Sequence, residues 1–139
     1  MTWGVWDMLH VGHVRLLQRA AARCDHLIVG VTTDEFAVER KGRAPIVPYA
    51  ERCEVLLGVR GVTSVMPQSA TFTKAHAVRL YQPDVLFVGD DWTPSTYDAA
   101  HLGVPVVYLP RTSGVSSSGY REWVSRAEGP HAEHESRVG

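Results

Sequence analysis

His10 and His13 stand three residues apart in "WDMLHVGHVRLL" (Trp6 to Leu17), with Gly12 between them. On a helix, that spacing puts both imidazoles on one face. Gly12 removes a side chain where the helix would open, so a ligand could approach the backbone there. A helix N-terminus carries unpaired N–H groups and the positive end of the dipole, a setting suited to phosphate. Two imidazoles beside those groups would make a compact phosphate clamp. Plainer readings exist for the pair alone: a hydrogen-bonded structural histidine, or half of a zinc site whose third ligand stands at no recognisable spacing. A second polar run, "RTSGVSSS" (Arg111 to Ser118), is a Ser-rich turn containing Gly114. It could cradle another anion, although such a stretch by itself also suits a flexible loop.

The elements that would position these groups follow from the apolar pattern. "MTWGVW" reads as a short strand broken by Gly4, and Val11 to Ala22 turns helical, with Val11, Val14, Leu17 and Ala21 on one stripe. "HLIVGVTT" (His26 to Thr33) is a continuous apolar run of strand length, as in a buried parallel strand. A helix is expected over "VPYAERCEVLLGVRG", then a strand "VTSVMP" stopped by Pro67, and a helix "FTKAHAVRLYQ" ending before Pro83. "DVLFVGDDW" and "PVVYLPRT" read as a fourth and a fifth strand, and "GYREWVSRA" as a last short helix. Strands alternating with helices imply βαβ units. The expected fold is α/β: a Rossmann-like, doubly wound, parallel five-stranded sheet with helices on both faces. Ligands in such folds bind beyond the C-terminal ends of the strands. Asp7, His10 and His13 follow the first strand, and Asp34 the second. Asp90 and Asp91 follow the fourth, and Arg111 to Ser118 the fifth. The polar residues thus collect at one edge.

The 139 residues fit one domain, expected over 1–127, with "EGPHAEHESRVG" (128–139) a polar tail without period, expected to be disordered. A net charge of -1 gives no bulk attraction to nucleic acid or to an anionic membrane. Cys24 and Cys53, each in a segment that reads as helix, show no CxxC or metal-site spacing and read as buried free thiols. No signal peptide and no bilayer-spanning run are visible, so a cytoplasmic protein is expected.

"GVWDMLHVGHVRLLQRA" resembles the HxGH signature of the nucleotidyltransferase superfamily. "RTSGVSSS" resembles the R-T-x-G-I-S-T-T signature of its cytidylyltransferase branch. "GDDW", "TTDEF" and "YAER" are similar to that branch in order and spacing, and the likeness runs from about Thr2 to Val124. Within it, the small bacterial glycerol-3-phosphate cytidylyltransferases are the nearest group. The resemblance implies transfer of CMP from CTP to a small phosphorylated alcohol, with release of pyrophosphate and a CDP-alcohol product. The attacking group would already be a phosphate oxygen, whose second pKa is about 6, so no base is needed to ionise it. The chain accordingly shows no Ser/His/Asp or Cys/His nucleophile set. Positioning and charge stabilisation should carry the rate.

By the same resemblance His10, His13, Lys41 and Arg111 are the catalytic groups, with Arg40 or Arg43 competing for the lysine's role. Val5, Trp6, Asp7, Gly12, Asp90, Thr112, Ser116 and Ser117 are expected to bind the nucleotide, and Arg60 and Asp34 the acceptor. Asp34 could instead be a turn residue, and Arg60 a surface one. Asp7 would orient a histidine or help hold a magnesium ion, the expected partner of CTP. A homodimer is also implied. Departures from the pattern are Val5 for Thr, Trp6 for Phe, "SSGY" for "TTKI", and an opening several residues shorter, as either a clipped first strand or a misassigned start site would give. "APIVPY" and "TPSTYDAAHLG" depart most, so the acceptor is less defined than the nucleotide, and a phosphonate is an alternative acceptor. An adenylyltransferase acting on a sugar phosphate or a flavin shares HxGH, but "RTSGVS" and "GDDW" speak against it, and His10, His13 and Lys41 speak against a nucleotide-binding protein without activity.

Overall fold

A computed structural model describes residues 1–127, so the expected tail at 128–139 lies outside the described residues. The described residues form five strands and five helices. They are β1 (Thr2–Gly4), α1 (Val11–Ala21), β2 (Leu27–Thr32), α2 (Asp34–Lys41), α3 (Tyr49–Leu57), β3 (Val62–Gln68), α4 (Lys74–Tyr81), β4 (Leu86–Gly89), β5 (Val106–Leu109) and α5 (Ser117–Ala127). All strand pairs are parallel. The α/β expectation therefore holds, but the single five-stranded sheet does not: the ladders form one sheet β1-β2-β3 and one β4-β5. The reason is length. β1 has three residues, too few for a ladder on both edges, and only Met1 reaches across. Its ammonium donates to the Val85 carbonyl at 2.9 Å, and its carbonyl accepts from the Phe87 N–H at 2.9 Å.

Successive strand residues point to opposite faces, and here they feed two cores. Val29 and Val31 of β2, Phe87 of β4 and Leu109 of β5 pack with Leu17 and Ala20 of α1 and Leu56 of α3. Ile28, Leu86, Val88, Val106 and Tyr108 pack instead with Ala77 of α4, Met66 and Tyr97. Helices therefore cover both faces.

Two local expectations are corrected, and one helix, α2, was not foreseen. Pro67 lies inside β3, exposed, because β3 pairs only with β2 and its other edge needs no N–H from that residue. α2 was not marked by an apolar stripe, since only Ala37 is buried. Its ends define it: Thr33 caps the N-terminus, Asp34 and Glu35 open it, Arg40 and Lys41 close it, and Gly42 takes φ 73° after it. Cys24 lies beyond the end of α1, where its thiol donates to the Ala20 carbonyl.

Candidate active site

The chain leaves β1 through a strained corner, with Trp6 at φ 57° and Met8 at φ 49°. Such conformations cost about 1–3 kcal/mol each and persist only where the surroundings fix them. Trp6 is buried, and its indole N–H donates to the Gly30 carbonyl at 2.9 Å. Asp7, 3 % exposed, is held harder. Its two carboxylate oxygens accept from the Ile46 and Val47 N–H groups, each at 2.9 Å. Arg121 of α5 pairs with the same carboxylate, and the Ser117 hydroxyl donates to the Asp7 carbonyl at 2.7 Å. One residue thus ties the end of β1 to the loop before α3 and to α5.

α1 begins with an unusual cap made by the two histidines. His10 is the N-cap, and its Nδ1 accepts from the Gly12 N–H at 3.1 Å. The His13 Nδ1 accepts, more weakly, from the His10 N–H at 3.4 Å. The rings stack with centroids 3.7 Å apart. An accepting Nδ1 carries no proton, so in each neutral ring the proton resides on Nε2. Burial, then the neighbouring His10 and Arg111, together lower the pKa of His13 to about 3. Burial and then Arg111 also lower that of His10. Both imidazoles are therefore neutral near pH 7, and each presents one Nε2–H donor. Gly12 serves this cap: a Cβ there would lie 3.0 Å from the His10 ring. The expected free Gly12 N–H is accordingly corrected, because His10 itself occupies it.

Two cavities adjoin at this cap. One, of about 210 Å³, is lined by Trp3, His10, Asp91, Trp92, Arg111 and Thr112, among others. The other, of about 180 Å³, is lined by Asp7, Lys41, Arg43, Ser118 and Arg121, among others. Trp6, His13 and Ser117 belong to both, so they form the shared wall. Arg111 pairs with Asp91 at 3.2 Å, and its N–H donates to the Asp90 carboxylate at 3.1 Å. Asp90 therefore fixes the loop after β5, while its neighbour Asp91 faces the cavity. The Thr112 hydroxyl is buried without a partner. The Ser116 hydroxyl accepts from the Gly119 N–H at 3.0 Å, which supports the first turn of α5.

His10, His13, Gly12, Trp6, Arg111, Thr112, Ser116 and Ser117 line the first cavity, and Val5, Asp7 and Lys41 the second. Two acceptor residues are not brought to either cavity. The Asp34 oxygens accept from Arg52 at 2.6 Å and from the Tyr49 N–H at 3.0 Å. Arg60 is exposed in the turn between α3 and β3, the edge where strands enter rather than leave. Asp7 does not offer a metal ligand either, since both oxygens already have partners. Among the described residues no three His, Cys, Asp or Glu side chains converge, so the donor set does not fit a protein-held magnesium ion.

Sequence reasoning missed Trp3 and Arg121. Arg121 was legible as the residue one turn beyond Ser117 on the same helix face. The motif "YAER" was noticed, but not what Arg52 does. It is 2 % exposed and the largest fully buried side chain. It donates to the carbonyls of Val5 (2.5 Å), Thr32 (2.8 Å) and Val47 (2.9 Å), gathering the ends of β1 and β2 and the loop before α3.

The chain is similar to known proteins over most of its described length. Residues 1–123 match the model of the family described as "Cytidylyltransferase-like". The glycerol-3-phosphate cytidylyltransferase of Bacillus subtilis (strain 168) is 35% identical over 125 residues, 90% of this chain and 95% of that one. The FAD synthase of Pyrococcus abyssi is 41% identical over 88 residues, 63% of this chain and 60% of that one. The lipopolysaccharide core biosynthesis protein of Thermoplasma volcanium superposes with a TM-score of 0.65 at 25% identity, covering 81% of this chain and 93% of that one. A histidine-capped helix at the mouth of a parallel sheet, with matches over nearly the whole described chain, places this protein in the cytidylyltransferase-like family, as a nucleotidyltransferase.

Proposed function

We propose that the protein transfers CMP from CTP to a small phosphorylated alcohol, glycerol 3-phosphate or a close relative. The observation that carries the proposal is the shared wall. His13 and Ser117 stand between a cavity with aromatic and polar lining and one that gathers Lys41, Arg43 and Arg121. The nucleoside occupies the first, where Asp91 can accept from the cytosine amino group. The β- and γ-phosphates extend into the second. This leaves the α-phosphorus at the histidine cap.

An acceptor phosphate oxygen attacks the α-phosphorus. One O–P bond forms, the bond from the α-phosphorus to the bridging oxygen breaks, and pyrophosphate leaves with both electrons of that bond. The Nε2–H groups of His10 and His13 donate to the phosphoryl oxygens as charge builds there. They cost no reorganisation, because the cap already fixes both rings. Lys41, with Arg43 and Arg121 beside it, meets the charge of the departing pyrophosphate, and Arg111 that of the α-phosphate. Magnesium enters, on this reading, with the nucleotide as part of the substrate. The carboxylates of Asp7 and Asp34 act as struts. Homodimerisation belongs to the same reading, with exposed Val55 and Leu57 of α3 as apolar surface for it; light scattering on the purified protein tests that part.

Pyrophosphate release tests the proposal. CTP with glycerol 3-phosphate should support it, and ATP should not. Release only with ATP would refute the choice of base. Release with CTP and only a phosphonate would refute the acceptor while sparing the mechanism, since the nucleophilic oxygen is the same.

A further inference from the structure

Across the Trp3 indole from the nucleotide cavity lies a second polar cluster. Its members come from α2, α4 and the loop after β4. The Lys74 ammonium sits over two aromatic faces, 4.9 Å from the Tyr97 ring centroid and 5.9 Å from that of Trp3. It pairs with Asp98, which Arg40 also approaches at 3.8 Å. Lys74 is 15 % exposed while Asp98 is 48 % and Arg40 47 % exposed, so the carboxylate, with Arg40 beside it, is the open side of the cluster. Two further atoms are buried without any hydrogen-bond partner: the Tyr97 hydroxyl and the Trp3 indole N–H. Tyr97 as a whole is 5 % exposed.

A purely structural cluster would pair these groups. Buried donors are nearly always satisfied, and an orphan calls for an explanation. Here one carboxylate, one ammonium, one guanidinium, a phenol and an indole N–H gather within one cluster beside the nucleotide site. A carboxylate accepts from hydroxyls, and an ammonium or phenol donates to them. Lys74 and Arg40 both pair with Asp98, so neither cation is left over for a second anion, and the groups that remain unpaired, a phenol and an indole N–H, suit a neutral hydroxylated group.

We infer that Tyr97 and Asp98 select the acceptor by its hydroxyl-bearing end: the Asp98 carboxylate and the otherwise unpartnered Tyr97 hydroxyl hydrogen-bond the alcohol groups at the end remote from the reacting phosphate. This inference rests on the cytidylyltransferase reading and adds the acceptor chemistry to it. The consequence is discrimination against a phosphate ester of the same length without hydroxyls, because a site built to hydrogen-bond a hydroxyl rejects the analogue lacking it.

Calorimetry on the full chain, saturated with CTP, compares glycerol 3-phosphate with propyl phosphate. The wild type should bind the hydroxylated ester at least about tenfold more tightly, the scale of one good hydrogen bond. Tyr97→Phe removes an atom that has no partner in the free protein. Its thermal midpoint should therefore hold or rise and its CTP affinity stay, while the preference for glycerol 3-phosphate shrinks several-fold. Asp98→Asn should shrink it further. Equal binding of the two esters by the wild type, or an unchanged preference in Tyr97→Phe, would overturn the inference. Pyrophosphate release is read separately. Discrimination without release would sink the proposed reaction and leave the selectivity standing, and release without discrimination would do the reverse.

Discussion

Replacing His10 separates its two jobs. As N-cap, its Nδ1 accepts from the Gly12 N–H at 3.1 Å. As a site residue, it presents its Nε2–H to the phosphates. His10→Ala loses both. Loss of a side-chain cap costs about 0.5–2 kcal/mol, typically about 1. With a urea dependence of about 2 kcal/mol per molar, the unfolding midpoint should fall by about 0.5 M. His10→Asn should restore most of that, because an amide oxygen is a strong acceptor at an N-cap. Neither variant has a donor where Nε2–H stood. Removing one preorganised donor to a developing oxyanion costs about 10²–10³ in turnover, or about 3–4 kcal/mol of barrier. Urea melts and pyrophosphate release, run on wild type, His10→Ala and His10→Asn, read the two effects apart. The expected pattern is stability recovered by Asn and turnover not recovered. Near-normal turnover in His10→Asn would show that the imidazole is only a cap and would refute the phosphate role. Unchanged stability in His10→Ala would refute the cap.

His13 gives a pH prediction. Its folded pKa, about 3, lies below the unfolded value of about 6.5. The unfolded chain therefore binds more protons between those values, and stability is fully present above pH 6.5 and lost as pH falls toward 3. At about 1.4 kcal/mol per unit the upper bound is about 5 kcal/mol. Urea melts at pH 7, 5 and 4 should show a steeper loss in wild type than in His13→Asn, and parallel loss would contradict the burial argument. Arg52→Met leaves three carbonyls and Asp34 without their donor, and should cost about 3–5 kcal/mol by the usual effect of breaking a buried ion pair. A shift of the melting midpoint by less than a degree would rule that out. Gly30→Ala would set a Cβ 1.9 Å from Cδ1 of Trp3. Such overpacking costs about 1–3 kcal/mol, and acceptor binding should weaken with it, which calorimetry would register.

Much of this was readable from the residues. The apolar run of β2 has strand length and the pattern of a strand buried on both faces, and strands interspersed with helices implied parallel order. The edge carrying chemistry followed from that order. The unread parts share a cause: they depend on contacts between distant segments. α2 has a weak apolar stripe, and its identity lies in its caps. Arg60 looked like a site residue by its place in a motif, yet topology puts it at the opposite edge of the sheet. Asp7 and Asp34 looked like free carboxylates because nothing local shows that Ile46, Val47, Arg121, Tyr49 and Arg52 reach them. Gly12 drew notice for the space it leaves, and the His10 ring lies close to where a Cβ would stand, a contact that nothing local in the sequence shows.

The anchoring of α5 sets the order in which the site comes together. None of its residues is buried. Its link to the rest of the chain includes the Ser117 and Arg121 contacts to Asp7, which span 110 and 114 positions of sequence. Long loops must close before such contacts form, and little apolar area holds them afterwards. α5 should therefore be among the last elements to dock and the first to open, with amides that exchange with solvent far faster than those of β2. Bound nucleotide, reaching Ser117 and Arg121 together, would then act as the missing adhesive. Exchange along α5 should slow on adding CTP while the sheet stays as it was, so that a substrate completes the pocket that receives it.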